Sequence, residues 1–279
     1  MTLNITAFSK WGIWQVTDHR LTDPNTRKMI DDNSIKHVGL RCRDGFAILA
    51  YAGVGKVRDL EISDWIREIL RGENRTLDGS LIYLREKSTE DLGPLLEGNT
   101  RHMFSIGAIL AGKSWIVQIR NFYCNRSGTF GPPKREFVTV AQPVEVLPQV
   151  FVFGAPTLSI QEINRIKNAI ERKPDRPENI SNLLAKINEM ASKHPINGHL
   201  VSPSCLTTYM PPKGEPTSSK FHVREKRSKV VVVPHLLFGI DTTEMMRNLM
   251  NQKNSGVLNN TQLEQSGRKS IEPIDRLRK

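Results

Sequence analysis

Residues 1–20, MTLNITAFSKWGIWQVTDHR, place a threonine directly behind the initiator methionine and then alternate apolar and polar side chains twice. One run spans Leu3 to Phe8 and the other Ile13 to Arg20, with SKWG between them. Alternation with a period of two marks a strand with one buried face, and a short turn between two such runs makes an antiparallel hairpin. With Phe8 opposite Ile13, Thr2 falls opposite His19 and Leu3 opposite Asp18. Thr2 and Asp18 are then one step apart on neighbouring strands. Termini are ordinarily loose unless something ties them down, so a strand that begins at residue 2 asks what holds it.

The second hairpin supplies a candidate. IKHVGLRCR (35–43), DG (44–45) and FAILAYAG (46–53) read as two strands around a type I′ turn, for which Asp-Gly is well suited. Taking Asp44 and Gly45 as the turn residues puts Lys36 opposite Gly53. Lys36 shares its face with Val38, Leu40 and Cys42, across from Ala47, Leu49 and Tyr51. That face is apolar and expected to be buried. A lysine at its rim is costly without a partner, and Asp18 is available. Lys28, in the preceding loop, is the less favoured alternative.

These residues suit acyl chemistry. Removal of Met1, expected because Thr2 is small, leaves Thr2 with a free α-amine beside its hydroxyl. Such an amine has an unperturbed pKa of about 7.7–8.0 and can serve as a general base near neutrality. Hydroxyls are weak nucleophiles without one. Lys36 adds positive charge near the developing alkoxide, and Asp18 holds Lys36 in place. The N–H of Gly53 can face an oxyanion, because glycine lets a substrate approach closely.

The set resembles the proteasome β-subunit type of N-terminal-nucleophile hydrolases, of which the chain would be a divergent member. The resemblance is carried by Thr2 opening the first strand, TDHR with Asp18 and Arg20, Lys36 opening a later strand, AYAGVGKVRD (50–59) before the first long helix, and FSIGAILAG (104–112) as a central strand. It covers about residues 2–210 and implies an α+β fold, a four-layer αββα sandwich of two antiparallel sheets. It also implies amide-bond hydrolysis through a covalent ester on Thr2, a peptide or small amide substrate, a homo-oligomer, and neither cofactor nor metal. Arg20, Ser202 and Ser204 take supporting places. The pattern departs from the family in VFVFGAP, where Ala155 stands at an expected serine, and in NGHLVSPSCL, which offers Ser202 and Ser204 but no aspartate.

The rest of the chain agrees with that architecture. Leu60, Trp65, Ile66, Ile69 and Leu70 lie on one face of a helix ending at Gly72. A second helix runs from about Asp78 to Lys87, followed by an irregular piece through Leu96. A third hairpin turns around Lys113–Ser114, and EFVTVAQ (136–142) and VFVFG (150–154) read as strands. Helices follow at 160–172 and at 180–192, the latter starting behind Pro177, and LVSPSCLTTYM (200–210) resumes the sheet. KFHVRE and KVVVVPHLLFGI supply edge strands. The helix pairs near 58–96 and 160–192 are expected on opposite outer faces. Residues 1–250 form one domain and 251–279 a basic, disordered tail.

Composition narrows the alternatives. The chain has 279 residues with 38% apolar and 25% charged side chains, enough for a sizeable core. No apolar run reaches the length of a membrane span, and Asn4, Thr6 and Lys10 interrupt any secretory pattern. A cytoplasmic protein is expected, with Cys42, Cys124 and Cys205 reduced. The net charge is +11, weighted towards the last quarter of the chain. No helix carries a basic stripe with interleaved aromatics, so a nucleic-acid-binding module ranks below both a threonine hydrolase and a non-catalytic assembly subunit of the same fold. GVGK (53–56) is not a phosphate loop: Ala50 takes the first glycine position and Val57 replaces the metal-binding hydroxyl.

Overall fold

The computed structural model describes residues 2–254 except 24–25, 27, 97–99, 125–128, 155–157, 173, 175, 196–197, 214–217 and 223–234. Strands β1 (Leu3–Ser9) and β2 (Gly12–Asp18) form the first hairpin. A short ribbon of β3 (Leu21–Thr22) and β4 (Met29–Asp31) leads to β5 (His37–Arg41) and β6 (Gly45–Ala52). A second ribbon, β7 (Lys56–Val57) and β8 (Leu60–Glu61), precedes helices α1 (Ile62–Leu70) and α2 (Leu77–Lys87). The segment to Leu96, expected to be irregular, stays helical through a π turn at Ser88–Leu92 and α3 (Gly93–Leu96).

Strands β9 (Met103–Leu110), β10 (Lys113–Arg120), β11 (Val138–Pro143) and β12 (Gln149–Gly154) follow. Helices α4 (Ile160–Glu171) and α5 (Pro177–Ser192) come next, then β13 (Cys205–Met210) and β14 (Ser218–His222). The described chain closes with β15 (Leu236–Leu237), β16 (Ile240–Asp241) and α6 (Thr242–Asn254). Helix α6 crosses the position at which the sequence reading ended the domain. Residues 255–279, most of the expected tail, and the KVVVV stretch lie outside the described residues.

Two sheets result. One has five antiparallel strands in the order β12-β1-β2-β13-β14; the other has seven, β11-β10-β9-β6-β5-β15-β16, antiparallel except where β15 runs parallel to β5. Phe8, Ile13, Ile48, Ile109, Ile116 and Met210 pack between the sheets. Gly107 permits their close approach, since a Cβ there would lie 3.0 Å from Ile13 and 3.1 Å from Thr6. Helices α1 and α2 bury Ile62, Trp65, Ile66, Leu81 and Leu84 on the outer face of the larger sheet. On the outer face of the smaller, α4 and α5 bury Ile166, Ile170, Leu184 and Ile187. This is the expected four-layer αββα sandwich. Among the described residues no helix is long and apolar enough to cross a membrane.

The first hairpin has the register read from the sequence, with Phe8 opposite Ile13 and Asn4 opposite Thr17. The second does not. Arg41 pairs with Phe46, and the Cys42 N–H donates to the Gly45 carbonyl at 2.9 Å, so Arg43 and Asp44 make the turn. Asp44 and Gly45 are used differently. The Asp44 carboxylate accepts the Leu77 N–H at 2.7 Å at the start of α2. A Cβ on Gly45 would lie 2.7 Å from the Ile109 carbonyl oxygen and 2.9 Å from the Leu77 side chain. The slip is of two residues, so every side chain keeps its face, but the pairing of Lys36 with Gly53 is lost. The third hairpin turns at Ala111–Gly112, both with positive φ (49° and 75°), one turn-length before Lys113–Ser114. A type I′ turn needs that conformation at both central residues.

Candidate active site

Four separate segments meet at the carboxylate of Asp18, the last residue of β2. Its Oδ2 accepts the N–H of Leu3 at 2.8 Å, which ties down the beginning of β1. Its Oδ1 accepts the N–H of Arg20 at 2.8 Å and the N–H of Ser202 at 3.3 Å. The ammonium of Lys36, immediately before β5, approaches Oδ1 at 3.2 Å and Oδ2 at 3.4 Å. Asp18 and Lys36 are both fully buried.

Lys36 Nζ also donates to Thr2 Oγ1 at 2.7 Å and to the carbonyl of Arg20. An ammonium has three donors, and here Thr2, Asp18 and Arg20 provide three acceptors. That complement fits the charged form. Burial pulls the Lys36 pKa below its ordinary 10.5, with the Asp18 carboxylate opposing in part. The site thus holds a cation that releases its proton more readily than a surface lysine. Lys28 is exposed on the loop between β3 and β4.

A second layer supports the first. Arg20 Nε and its terminal nitrogen grip the two oxygens of Asp32 at 3.1 and 3.0 Å, and its other terminal nitrogen donates to the His199 carbonyl at 2.8 Å. Burial resists ionisation of Asp32, but hydrogen bonds from Arg20 and Ser202 outweigh it and hold the carboxyl below its ordinary value of 3.8. Asn188, buried in α5, donates to the Ser202 carbonyl at 2.9 Å. Ser204 donates its N–H to Ser202 Oγ at 3.2 Å.

Asp32 was not anticipated from sequence. The only signal was the acidic pair of IDDNS shortly before Lys36. Because its pKa is lowered by folding, its stabilisation is present above pH 3.8 and is lost as pH falls through the lower folded value. Asp32→Asn should therefore lower the melting temperature at neutral pH. The gap from wild type should shrink as pH falls below 3.8 in thermal scans across the acid range.

Thr2, Asp18, Lys36, Arg20 and Ser202 come together. Gly53 follows β6 with φ +133°, and a Cβ there would meet His102 and the Arg101 carbonyl. Among the described residues no hydrogen bond links it to Thr2, Asp18 or Lys36. The two-residue slip of the second hairpin removes the pairing on which its expected position rested. Ala155 lies outside the described residues.

No family model matches the chain, and no curated protein matches it. Solved structures do. The Gly-1 mutant of Anbu from Hyphomicrobium sp. strain MC1 is 14% identical, with 99% of this chain and 100% of that one covered and a TM-score of 0.49. The helical assembly of the Anbu complex from Pseudomonas aeruginosa is 11% identical over 99% and 100%, with a TM-score of 0.48. Anbu, an ancestral β-subunit, from Yersinia bercovieri is 11% identical over 92% and 96%, with a TM-score of 0.49. They do correct the family read from the sequence: the similar structures are Anbu proteins, proteasome-like but a distinct family, and the assignment to the proteasome β-subunit type is withdrawn.

Proposed function

We propose that the chain is an N-terminal-threonine amide hydrolase with Thr2 as its nucleophile. The observation that supports this reading most is the 2.7 Å hydrogen bond from the buried Lys36 ammonium to Thr2 Oγ1. An oxygen held against a fixed, desolvated cation is stabilised as negative charge develops on it. The reading requires a free α-amine on Thr2, which loss of Met1 supplies. That amine takes the Oγ proton as Oγ bonds to the amide carbon. The C–N bond then breaks, the leaving amine departs with the proton, and water cleaves the resulting ester to restore Thr2.

The test is a mass measurement of the intact N-terminus combined with treatment by a β-lactone, whose strained ester acylates an activated hydroxyl. Protein beginning at Thr2 should gain one adduct at that residue. Protein shown to begin at Thr2 that gains none would sink the reading. The labelling rate should rise as an α-amine near 7.7–8.0 loses its proton. It should fall again, below pH 10.5, as Lys36 is neutralised. Lys36→Met should remove the alkaline limb along with most of the rate.

A further inference from the structure

We propose that Gly154 is a positioning residue for Thr2. The inference rests on the reading of Thr2 as nucleophile and extends it to the far side of the same peptide unit. Gly154 ends β12 and pairs with Leu3 of β1. An ideal Cβ on Gly154 would stand 1.5 Å from the Thr2 carbonyl oxygen and 2.7 Å from its carbonyl carbon. Gly154 also has φ +90°, a conformation that L side chains rarely adopt. Two independent demands therefore specify glycine.

The opposite edge of that peptide is held as well, because the Leu3 N–H donates to Asp18 Oδ2 at 2.8 Å. The unit joining Thr2 to Leu3 leaves no room for a Cβ on Gly154 at its oxygen side and is held at its nitrogen by a buried carboxylate. With that plane fixed, Thr2 Oγ1 is delivered to Lys36 by the strand itself. A side chain at position 154 has to push the Thr2 carbonyl away by more than an ångström, and a misplacement of about 1 Å costs roughly a hundredfold in rate.

Gly12 provides the control. It lies at the other end of the β1–β2 hairpin with φ +136°, and a Cβ there would come 2.4 Å from the Met210 carbonyl oxygen. Gly12→Ala strains the same sheet without touching Thr2. Gly154→Ala should lower the β-lactone labelling rate per folded molecule by roughly a hundredfold. It should also speed hydrogen exchange at the Leu3 amide, whereas Gly12→Ala should leave both within about threefold of wild type while lowering the melting temperature. Wild-type labelling and Leu3 exchange in folded Gly154→Ala would overturn the inference.

Should Gly154→Ala fail to fold, D-alanine introduced by protein ligation decides. It accepts a positive φ and turns its methyl away from Thr2, so it should restore labelling; equal loss with D-alanine would also overturn the proposal. If wild-type protein beginning at Thr2 does not label but Leu3 exchange responds to Gly154→Ala, the nucleophile reading fails and the positioning stands.

Discussion

Asp18→Asn is expected to melt roughly 10 °C or more below wild type, given an unpaired buried charge costing about 3–5 kcal/mol in a chain of this size. The change is isosteric, so packing survives. Its cost is electrostatic and directional. Lys36 is fully buried and loses its only carboxylate contact among the described residues. An amide also presents two donors where the N–H groups of Leu3, Arg20 and Ser202 all point inwards. Each buried donor left without an acceptor costs about 1–3 kcal/mol. Adding Lys36→Met should recover part of the loss, since removing both charges leaves no unpaired ion. Urea unfolding of the two single variants and the double variant checks this. An Asp18→Asn protein as stable as wild type would mean that the pair does not hold the site together.

Thr2→Ala should abolish β-lactone labelling altogether while lowering stability by only about 1 kcal/mol, the net worth of one hydrogen bond. The Lys36 ammonium keeps Asp18 and the Arg20 carbonyl as acceptors, so no buried charge is stranded. Alanine is small enough for Met1 removal to proceed as expected for threonine, and the variant retains the α-amine while lacking the hydroxyl. Thr2→Ser should label, because it restores an oxygen in reach of Lys36. The informative comparison is between the two variants by intact mass after equal exposure. Labelling of Thr2→Ala at its N-terminus would show that the amine, not the hydroxyl, is the reactive group.

Much of this was legible in the alternation of the first twenty residues. A hairpin with both faces specified has one register, so Phe8 opposite Ile13 could be read directly, and with it the approach of Asp18 to the start of β1. The second hairpin was misread because Asp-Gly is a strong turn signal whose residues are used elsewhere: Asp44 on the first amide of α2, Gly45 under β9. Local propensity lost to tertiary packing. The burial of Lys36 survived the error, since a slip of two leaves each side chain on its face. The pairing of Lys36 with Gly53 did not, because it depended on the register itself. Asp32 carries only the acidic pair of IDDNS, and Gly154 no local pattern. One is brought to Arg20 by a ribbon whose path alternation does not disclose, and the other is specified by a carbonyl oxygen 152 positions earlier in the chain.

The convergence on Asp18 also sets an order of events. Its carboxylate joins partners 15, 18 and 184 residues away along the chain, from both sheets and from the loop that follows α5. Contacts between distant segments carry loop-closure entropy that has to be met before they contribute anything. A chain with only its hairpins formed can bring Leu3 near Asp18, but it has neither the Ser202 amide nor the Lys36 ammonium in place. The contact of Lys36 with Thr2 is therefore a property of the finished body and not of any fragment of it. In a refolding experiment, the moment at which Thr2 first becomes acylable would time the docking of one sheet on the other.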